Sequence, residues 1–274
     1  MPRGAFAAVF GKPEGLQAAL SEDGVSALTI TGEGQFRARL TRVILSEIAL
    51  LAAEEELPRS AFVVIPDDTV MIALPIDRGP WPIWAGIEMN ASQILTLGPG
   101  ERLHLRTRGF CRWGTIRLAA NQLSIYYHAV IGEHFTLHPL ARWRPPRAAL
   151  RRLLYLHRAA VHAAEARSRA LVDVAAAHGL EQQVIHALIE CLAGLPDQET
   201  PADRRHREVL ARFEAVLSTE KLPRISKICA TLGVSAATLR ECCHEHLGMK
   251  PGRYLHLRGQ REENRAGGQL AHIL

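Results

Sequence analysis

Cysteine, aromatic residues and long apolar runs are scarce in this chain of 274 residues. The five cysteines form no CxxC pair and no even disulfide framework, so we expect reduced thiols and a cytoplasmic location. The longest apolar run, at residues 43–53, is interrupted by Ser46 and Glu47 and is too short to span a membrane. The start of the chain, MPRGAFAAVFGKPEG, is too weakly apolar for a signal peptide. These absences predict a globular protein with no membrane partner.

Motifs that would indicate catalysis are also missing. The sequence has no G-x-S-x-G, P-loop or HExxH pattern, and GEG at 32–34 lacks the third glycine of a dinucleotide loop. Adjacent cysteines in CCHEH, at 242–246, diverge by about 100° on a helix and cannot share one tetrahedral metal site. Core packing of Cys243 is the favoured interpretation. His134 and His138 have a similar spacing but no carboxylate triad nearby. We therefore expect no enzyme activity, no metal and no cofactor.

Positive charge is concentrated in the second half of the chain. Residues 1–138 carry 12 Lys/Arg against 14 Asp/Glu, whereas residues 139–274 carry 21 against 14. Residues 204–258 alone hold 11 basic and five acidic residues. A basic segment of this kind can release counterions from a phosphate backbone. Charge alone favours a solvated helical surface, so the interpretation depends on the motif that the segment carries.

Residues 25–118 alternate in the manner of short strands. Turn sequences separate them, such as PDD at 66–68 and GPGE at 98–101. The predicted strands lie at residues 27–31, 36–45, 61–66, 70–75, 83–89, 93–97, 102–106 and 113–118. Many short strands with regular turns predict a small antiparallel barrel or sandwich. Residues 40–56 also satisfy a 3.6-residue period, so a helix there is an open alternative.

Helical patterns follow the strands. A helix is predicted to begin near Ala119 and to break at Gly132. Residues 148–169 and 171–192 form two long amphipathic patterns, which we expect to pair with each other or with a second subunit. A linker rich in proline and acidic residues, at 194–203, then leads to the basic segment.

Residues 222–257 carry a helix-turn-helix pattern. The first helix is predicted from apolar residues at helical spacing, Ile225, Ile228, Cys229 and Leu232. Gly233 ends that helix and Ser235 is a good N-cap for the next one. Leu239 and Cys243 would then face inward. Two short helices joined by a glycine turn are the layout in which the second helix enters the DNA major groove.

In this segment the chain resembles the AraC/XylS family of bacterial transcription regulators. The matching positions are Leu232, Gly233, Val234, Ser235, Thr238, Leu239, Leu247, Gly248, Met249, Pro251, Tyr254, Leu255 and Arg258. Cys243 stands where the family usually has phenylalanine. The resemblance covers about residues 207–258, with Pro251 opening a third helix near its N1 position. It implies an N-terminal effector or dimerisation domain with a cupin-like barrel, and residues 25–118 are compatible with that.

The end of the chain departs from the family pattern. The resemblance implies a second helix-turn-helix unit after a long helix that begins at Pro251, but only 20 residues follow Tyr254. A second unit needs about twice that length. Gly267 and Gly268 would each cost a linker helix roughly 1 kcal/mol. We therefore expect a chain truncated after its first unit, with a disordered tail at 259–274.

The recognition helix would present the positions that lie off the Leu239 and Cys243 face. These positions hold Ala236, Ala237, Arg240, Glu241 and His244. Arg240 is the strongest base-reading candidate, because its guanidinium can address guanine in bidentate fashion; His244 can contact a base or a phosphate, and the alanines a thymine methyl. The predicted phosphate contacts are Arg224, Lys227, Lys250 and Arg253. For each of these residues the alternative is a solvated surface side chain.

The sequence thus predicts an α+β fold with an N-terminal β-rich (cupin-like) domain, a helical connector and a C-terminal all-α helix-turn-helix segment. The predicted boundaries are residues 1–135, 146–193, 204–258 and the tail 259–274. The predicted function is a cytoplasmic, sequence-specific transcription regulator whose partners are double-stranded DNA, a small-molecule effector and a second copy of the chain. The alternative is a truncated interaction or dimerisation protein without specific DNA binding. A third class, a sugar-modifying cupin enzyme, would need a metal or a carboxylate cluster in the barrel.

Overall fold

The computed structural model describes residues 4–167, 171, 173–219 and 223–270. The strands, in chain order, are β1 (Gly4–Phe10), β2 (Val25–Ile30), β3 (Ala38–Ile44), β4 (Ile48–Glu55), β5 (Arg59–Val64), β6 (Thr69–Leu74), β7 (Ile83–Trp84), β8 (Ile87–Glu88), β9 (Ile94–Leu97), β10 (Arg102–Arg106), β11 (Cys111–Ala119), β12 (Leu140–Trp143) and β13 (Asp197–Gln198). The helices are α1 (Pro13–Leu20), α2 (Ala120–Ile131), α3 (Arg147–Glu165), α4 (Val174–Leu192), α5 (Pro201–Thr219), α6 (Ile225–Leu232), α7 (Ala236–Leu247) and α8 (Pro251–Leu270).

The strands form two antiparallel sheets. The first sheet has the order β1-β3-β4-β11-β6-β9-β12-β13, and the second has the order β2-β5-β10-β7-β8. One apolar core combines side chains from both sheets, among them Leu40, Leu51, Trp84, Leu103 and Trp113. The α+β class with a β-rich N-terminal part is therefore confirmed.

The other face of the first sheet is covered by α2, α3 and α4. A second core joins the sheet to these helices through residues such as Ile72, Ile116, Leu153 and Leu188. The two long helices also contact each other, as their amphipathic patterns predicted. The predicted division into a domain at 1–135 and a separate connector at 146–193 differs from this arrangement. The apolar stripes of α3 and α4 are buried against the first sheet. Strand β12 precedes these two helices in the chain and β13 follows them, and both strands belong to the same sheet.

The alternative helix at 40–56 is wrong. Strands β3 and β4 pair antiparallel across this segment, from Ala38 opposite Glu55 to Ile44 opposite Ala49. Ile48 and Leu50 belong to the core under the helices, whereas Leu51 and Ala53 belong to the core between the sheets. A strand buried on both faces is apolar at nearly every position, so it satisfies a helical period as well. Strands β1, β12 and β13 and helix α1 were not predicted.

The C-terminal helices α5 to α8 share a core of their own, which includes Leu210, Phe213, Leu239, Cys243 and Tyr254. Helix α8 continues to Leu270, whereas the sequence predicted disorder from residue 259. Two glycines cost too little to end a helix whose backbone bonds already propagate from Pro251. Residues 271–274 of the predicted tail lie outside the described residues. Among the helices that the structure describes, none is long and apolar enough to cross a membrane.

Candidate nucleic-acid interface

Local capping fixes the turn between α6 and α7. Gly233 takes a left-handed conformation (φ 67°) and its N–H donates to the carbonyl of Ala230. Ser235 is the N-cap of α7, and its Oγ accepts a hydrogen bond from the Thr238 backbone N–H at 3.0 Å. Both assignments confirm the predicted helix-turn-helix boundaries.

Helix α7 is buried along two adjacent faces. Leu239, Cys243 and Leu247 pack in the C-terminal core, which confirms the predicted packing role of Cys243. Cys242 and His246 are also buried, and α7 contacts β10 of the second sheet. Burial, together with the neighbouring His104 and His206, lowers the pKa of His246 to about 3, so its imidazole is neutral at physiological pH. The sequence did not predict this second buried face.

The third face of α7 is exposed to solvent. Its residues are the predicted base-reading set, Ala236, Ala237, Arg240, Glu241 and His244. Since α7 turns about 100° per residue, these positions form one continuous strip beside the buried faces.

The four predicted phosphate contacts are exposed as well, and they cluster at helix starts. Arg224 is the N-cap residue of α6, and Lys227 lies in the first turn of that helix. Lys250 directly precedes α8, and its carbonyl accepts from the N–H groups of Arg253 and Tyr254. Helix N-termini carry free N–H groups and partial positive charge, which favour a phosphate.

Several basic side chains in residues 204–258 form ion pairs within the protein. Arg207 is buried and donates to Glu199 at 2.8 and 2.9 Å and also to Glu101. Arg204 lies 3.6 Å from Glu199, and Arg258 pairs with Glu214. Arg240 on α7 and Lys250 and Arg253 at the start of α8 are exposed to solvent, as are Arg205 and Arg212 on α5.

Glu214 joins the helix-turn-helix to the second sheet. Its Oε1 accepts hydrogen bonds from His104 Nε2 on β10 at 3.0 Å and from the Tyr254 hydroxyl at 2.6 Å. Arg258 donates to the other oxygen. Burial alone would raise the pKa of Glu214, but the hydrogen bond and charge of His104 and the charge of Arg258 lower it to about 2. The carboxylate is thus ionised and fully partnered between the two parts of the chain.

A second polar contact fixes the end of α7 against the sheet. His206 Nδ1 lies 2.7 Å from Glu245 Oε2, and Arg106 donates to the Glu245 carbonyl at 3.4 Å. A Cβ added at Gly248 would overlap the Arg106 guanidinium, so glycine permits this close approach. Neither the Glu214 network nor the Glu245 contacts were predicted from the sequence. The available signal was Glu214 itself, a carboxylate on the apolar stripe of α5 beside Leu210, Phe213 and Leu217.

Metal binding finds no support in the described part of the chain. No group of three or more His, Cys, Asp or Glu side chains is arranged there to hold an ion. The free thiols of Cys242 and Cys243 are buried, and burial raises the pKa of Cys242 to about 11. Burial raises the pKa of Cys243 as well, so both thiols are protonated at neutral pH.

No protein-family model and no curated protein matches the chain. Among solved structures, the AraC-like transcriptional activator CuxR is similar over 95% of this chain and 95% of that chain, with 12% identity and a TM-score of 0.49. Wild-type ToxT from Vibrio cholerae strain SCE256, solved with a bound unsaturated fatty acid, is similar over 77% of this chain and 78% of its own. Its identity is 11% and its TM-score 0.31.

Proposed function

We propose that the chain is a DNA-binding transcription regulator of the AraC/XylS type, and that α7 is the helix that enters the major groove. The observation that carries this proposal is the exposed strip of α7, which holds Arg240 and His244. The other two faces of the same helix are buried in the C-terminal core and against the second sheet. A helix that is fixed on two faces and open on the third can dock in a groove without rearrangement.

Within this proposal the exposed side chains divide into two groups. Arg240 reads a guanine through O6 and N7, and Ala236 and Ala237 contact thymine methyl groups. The cationic residues at the starts of α6 and α8 bind phosphates and set the register of the domain on the duplex. His244, one turn beyond Arg240, contacts a base or a phosphate.

Residues 4–198 serve as the regulatory part of this proposed regulator. Their two sheets and helices α2 to α4 form a unit that touches α5, α7 and α8. A second copy of the chain is the proposed partner of α3, since Tyr155 in the middle of that helix is 70% exposed. Large exposed aromatic side chains are enriched at protein–protein interfaces.

The phosphate contacts are tested by a salt titration of binding to an arbitrary DNA duplex. With four phosphate contacts, the slope of log affinity against log salt concentration is expected to be roughly −4. Lys250→Ala should weaken binding to every sequence alike and reduce the slope by about 1. The matched control is Lys12→Ala, an exposed lysine outside the C-terminal helices, which should leave the slope unchanged. An affinity that does not depend on ionic strength would contradict DNA binding by this surface.

A further inference from the structure

A cavity of about 290 Å³ lies between α3 and the outer half of the first sheet. Its floor is a row of small side chains across three neighbouring strands, because Ala52 of β4 pairs with Thr41 of β3 and with Gly114 of β11. Elsewhere on this face, larger apolar residues fill the space under the helices. The cavity therefore follows from the residues placed on this row of the sheet.

His157 fixes the height of α3 above this floor. It is buried, and its Nε2 donates to the Leu51 carbonyl at 3.1 Å. A Cβ on Gly114 would lie 2.9 Å from His157 Cε1, so only glycine permits this contact. Burial lowers the pKa of His157 to about 4, and the imidazole adds no charge to the cavity at neutral pH. The wall of the cavity is thus held in place without a ligand.

The next row of side chains on this face of the sheet is charged. The strand register places one carboxylate between two arginines. Glu54 lies between Arg39 on β3 and Arg112 on β11. It pairs with Arg112, whose Nε lies 2.5 Å from Glu54 Oε2 and whose Nη1 lies 3.0 Å from Asp77. The carboxylate opposite Arg39 is therefore already engaged.

Helix α3 contributes a second arginine, Arg158, to the wall of the cavity. The remaining acidic group there, Glu165, accepts a hydrogen bond from the buried Thr41 hydroxyl at 3.0 Å. Within the described residues, neither Arg39 nor Arg158 has an ion-pair partner. The three carboxylates of the cavity have partners, whereas two of its three guanidinium groups do not.

We propose that this cavity binds a small organic anion, with its carboxylate or phosphate group between Arg39 and Arg158. Guanidinium groups bind both anions through paired, charge-assisted hydrogen bonds. The apolar part of the ligand would rest on Ala52, Ile76 and Leu154, which also line the cavity. Small-molecule sites combine apolar surface with a few polar groups that orient the ligand, and the exposed guanidinium groups of Arg39 and Arg158 line the same cavity as these apolar side chains. The bound anion would connect β3 to α3.

The proposal is tested by calorimetry on the full chain without DNA, with 3-phenylpropionate and phenyl phosphate as probes. We expect saturable binding of at least one acid, and the tighter of the two identifies the head group. The neutral 3-phenylpropanamide, which has the same apolar part, should bind at least tenfold more weakly. No DNA is present in this measurement, so a failure of the probes to bind is distinct from a failure of the DNA-binding proposal.

Arg39→Gln and Arg158→Gln should each weaken the binding of the acids at least tenfold. Arg151→Gln is the matched control, since Arg151 is exposed on the same helix but does not line the cavity. Ala52→Leu should abolish binding by filling the floor, with thermal unfolding used to verify that the variant is folded. Unchanged affinity in both arginine variants, equal binding of the amide, or no binding of either acid at millimolar concentration would overturn the proposal.

Discussion

Replacing Glu214 by alanine is expected to lower the free energy of unfolding by about 3–5 kcal/mol, because it removes one partner of a buried ion pair. The variant would leave His104, Tyr254 and Arg258 without their shared acceptor. His104 and Tyr254 are each only 1% exposed, so water cannot replace the lost hydrogen bonds. Because the three donors come from β10 and α8, the loss would also loosen the contact between the second sheet and the C-terminal helices.

Urea denaturation of the full chain measures this effect. The matched control is Glu208→Ala, which removes an exposed glutamate from the same helix and should change stability by less than about 0.5 kcal/mol. Glu214→Gln keeps one acceptor oxygen, so its free energy of unfolding should lie between those of the two alanine variants. Equal stability of the Glu214 and Glu208 alanine variants would show that the network contributes nothing.

Stability is also expected to depend on pH through the same carboxylate. The pKa of Glu214 is about 2 in the folded chain, below the ordinary value of 4.5 that applies to the unfolded chain. A lowered folded-state pKa stabilises the protein fully above about pH 4.5, and the contribution is lost as the pH falls from 4.5 towards 2. The loss should amount to about 3 kcal/mol. Unfolding free energies measured between pH 6 and 2.5 should show this decrease in the parent chain and a smaller one in Glu214→Gln.

Arg240→Ala is expected to remove the preference for one base, a loss of about 1–3 kcal/mol in discrimination at that position. The remaining side chains of the exposed strip, including two alanines, cannot replace bidentate contacts to guanine. Selection from a library of random duplexes would measure the preference. The parent chain should enrich a short motif that contains a fixed G·C pair, and the variant should enrich the same motif with that pair relaxed.

Arg212→Ala is the matched control for this selection, because Arg212 is an exposed arginine on α5 outside the α7 strip. It should leave the motif unchanged. If the parent chain enriches no motif but still binds DNA in a salt-dependent manner, specific reading by α7 is contradicted. The alternative, an interaction protein without sequence preference, would then be favoured. Arg240 is the one side chain of the strip that can make bidentate hydrogen bonds to guanine. The outcome of the selection therefore depends on this residue.

Local chemistry made the helix-turn-helix segment predictable. A left-handed glycine, a serine N-cap and helical spacing act within a few residues, and Gly233 and Ser235 occupy the expected positions. The same periodicity placed Arg240 and His244 on the side opposite the core, and both are exposed. Most strands were predictable for the same reason, since alternation and turn residues are short-range signals.

Short-range sequence patterns failed where both faces of an element are buried, because its apolar residues then show no periodicity. Strand β4 is buried on both faces, so its sequence could not distinguish a strand from a helix. Strands β12 and β13, which lie outside the predicted range 1–135, join the first sheet and flank α3 and α4 in the chain. Short strands far from their partners carry little pattern of their own.

The sequence by itself determined the helix-turn-helix, its caps and the residues that it exposes. Only the tertiary structure decided that Glu214 meets His104 across 110 positions of sequence, and that Glu54 pairs with Arg112 and leaves Arg39 open. The physical reason is the distance along the chain over which each interaction acts. Capping and periodicity act over one or two helical turns, whereas a buried carboxylate and an unpaired arginine are defined by strand register and by packing between distant elements.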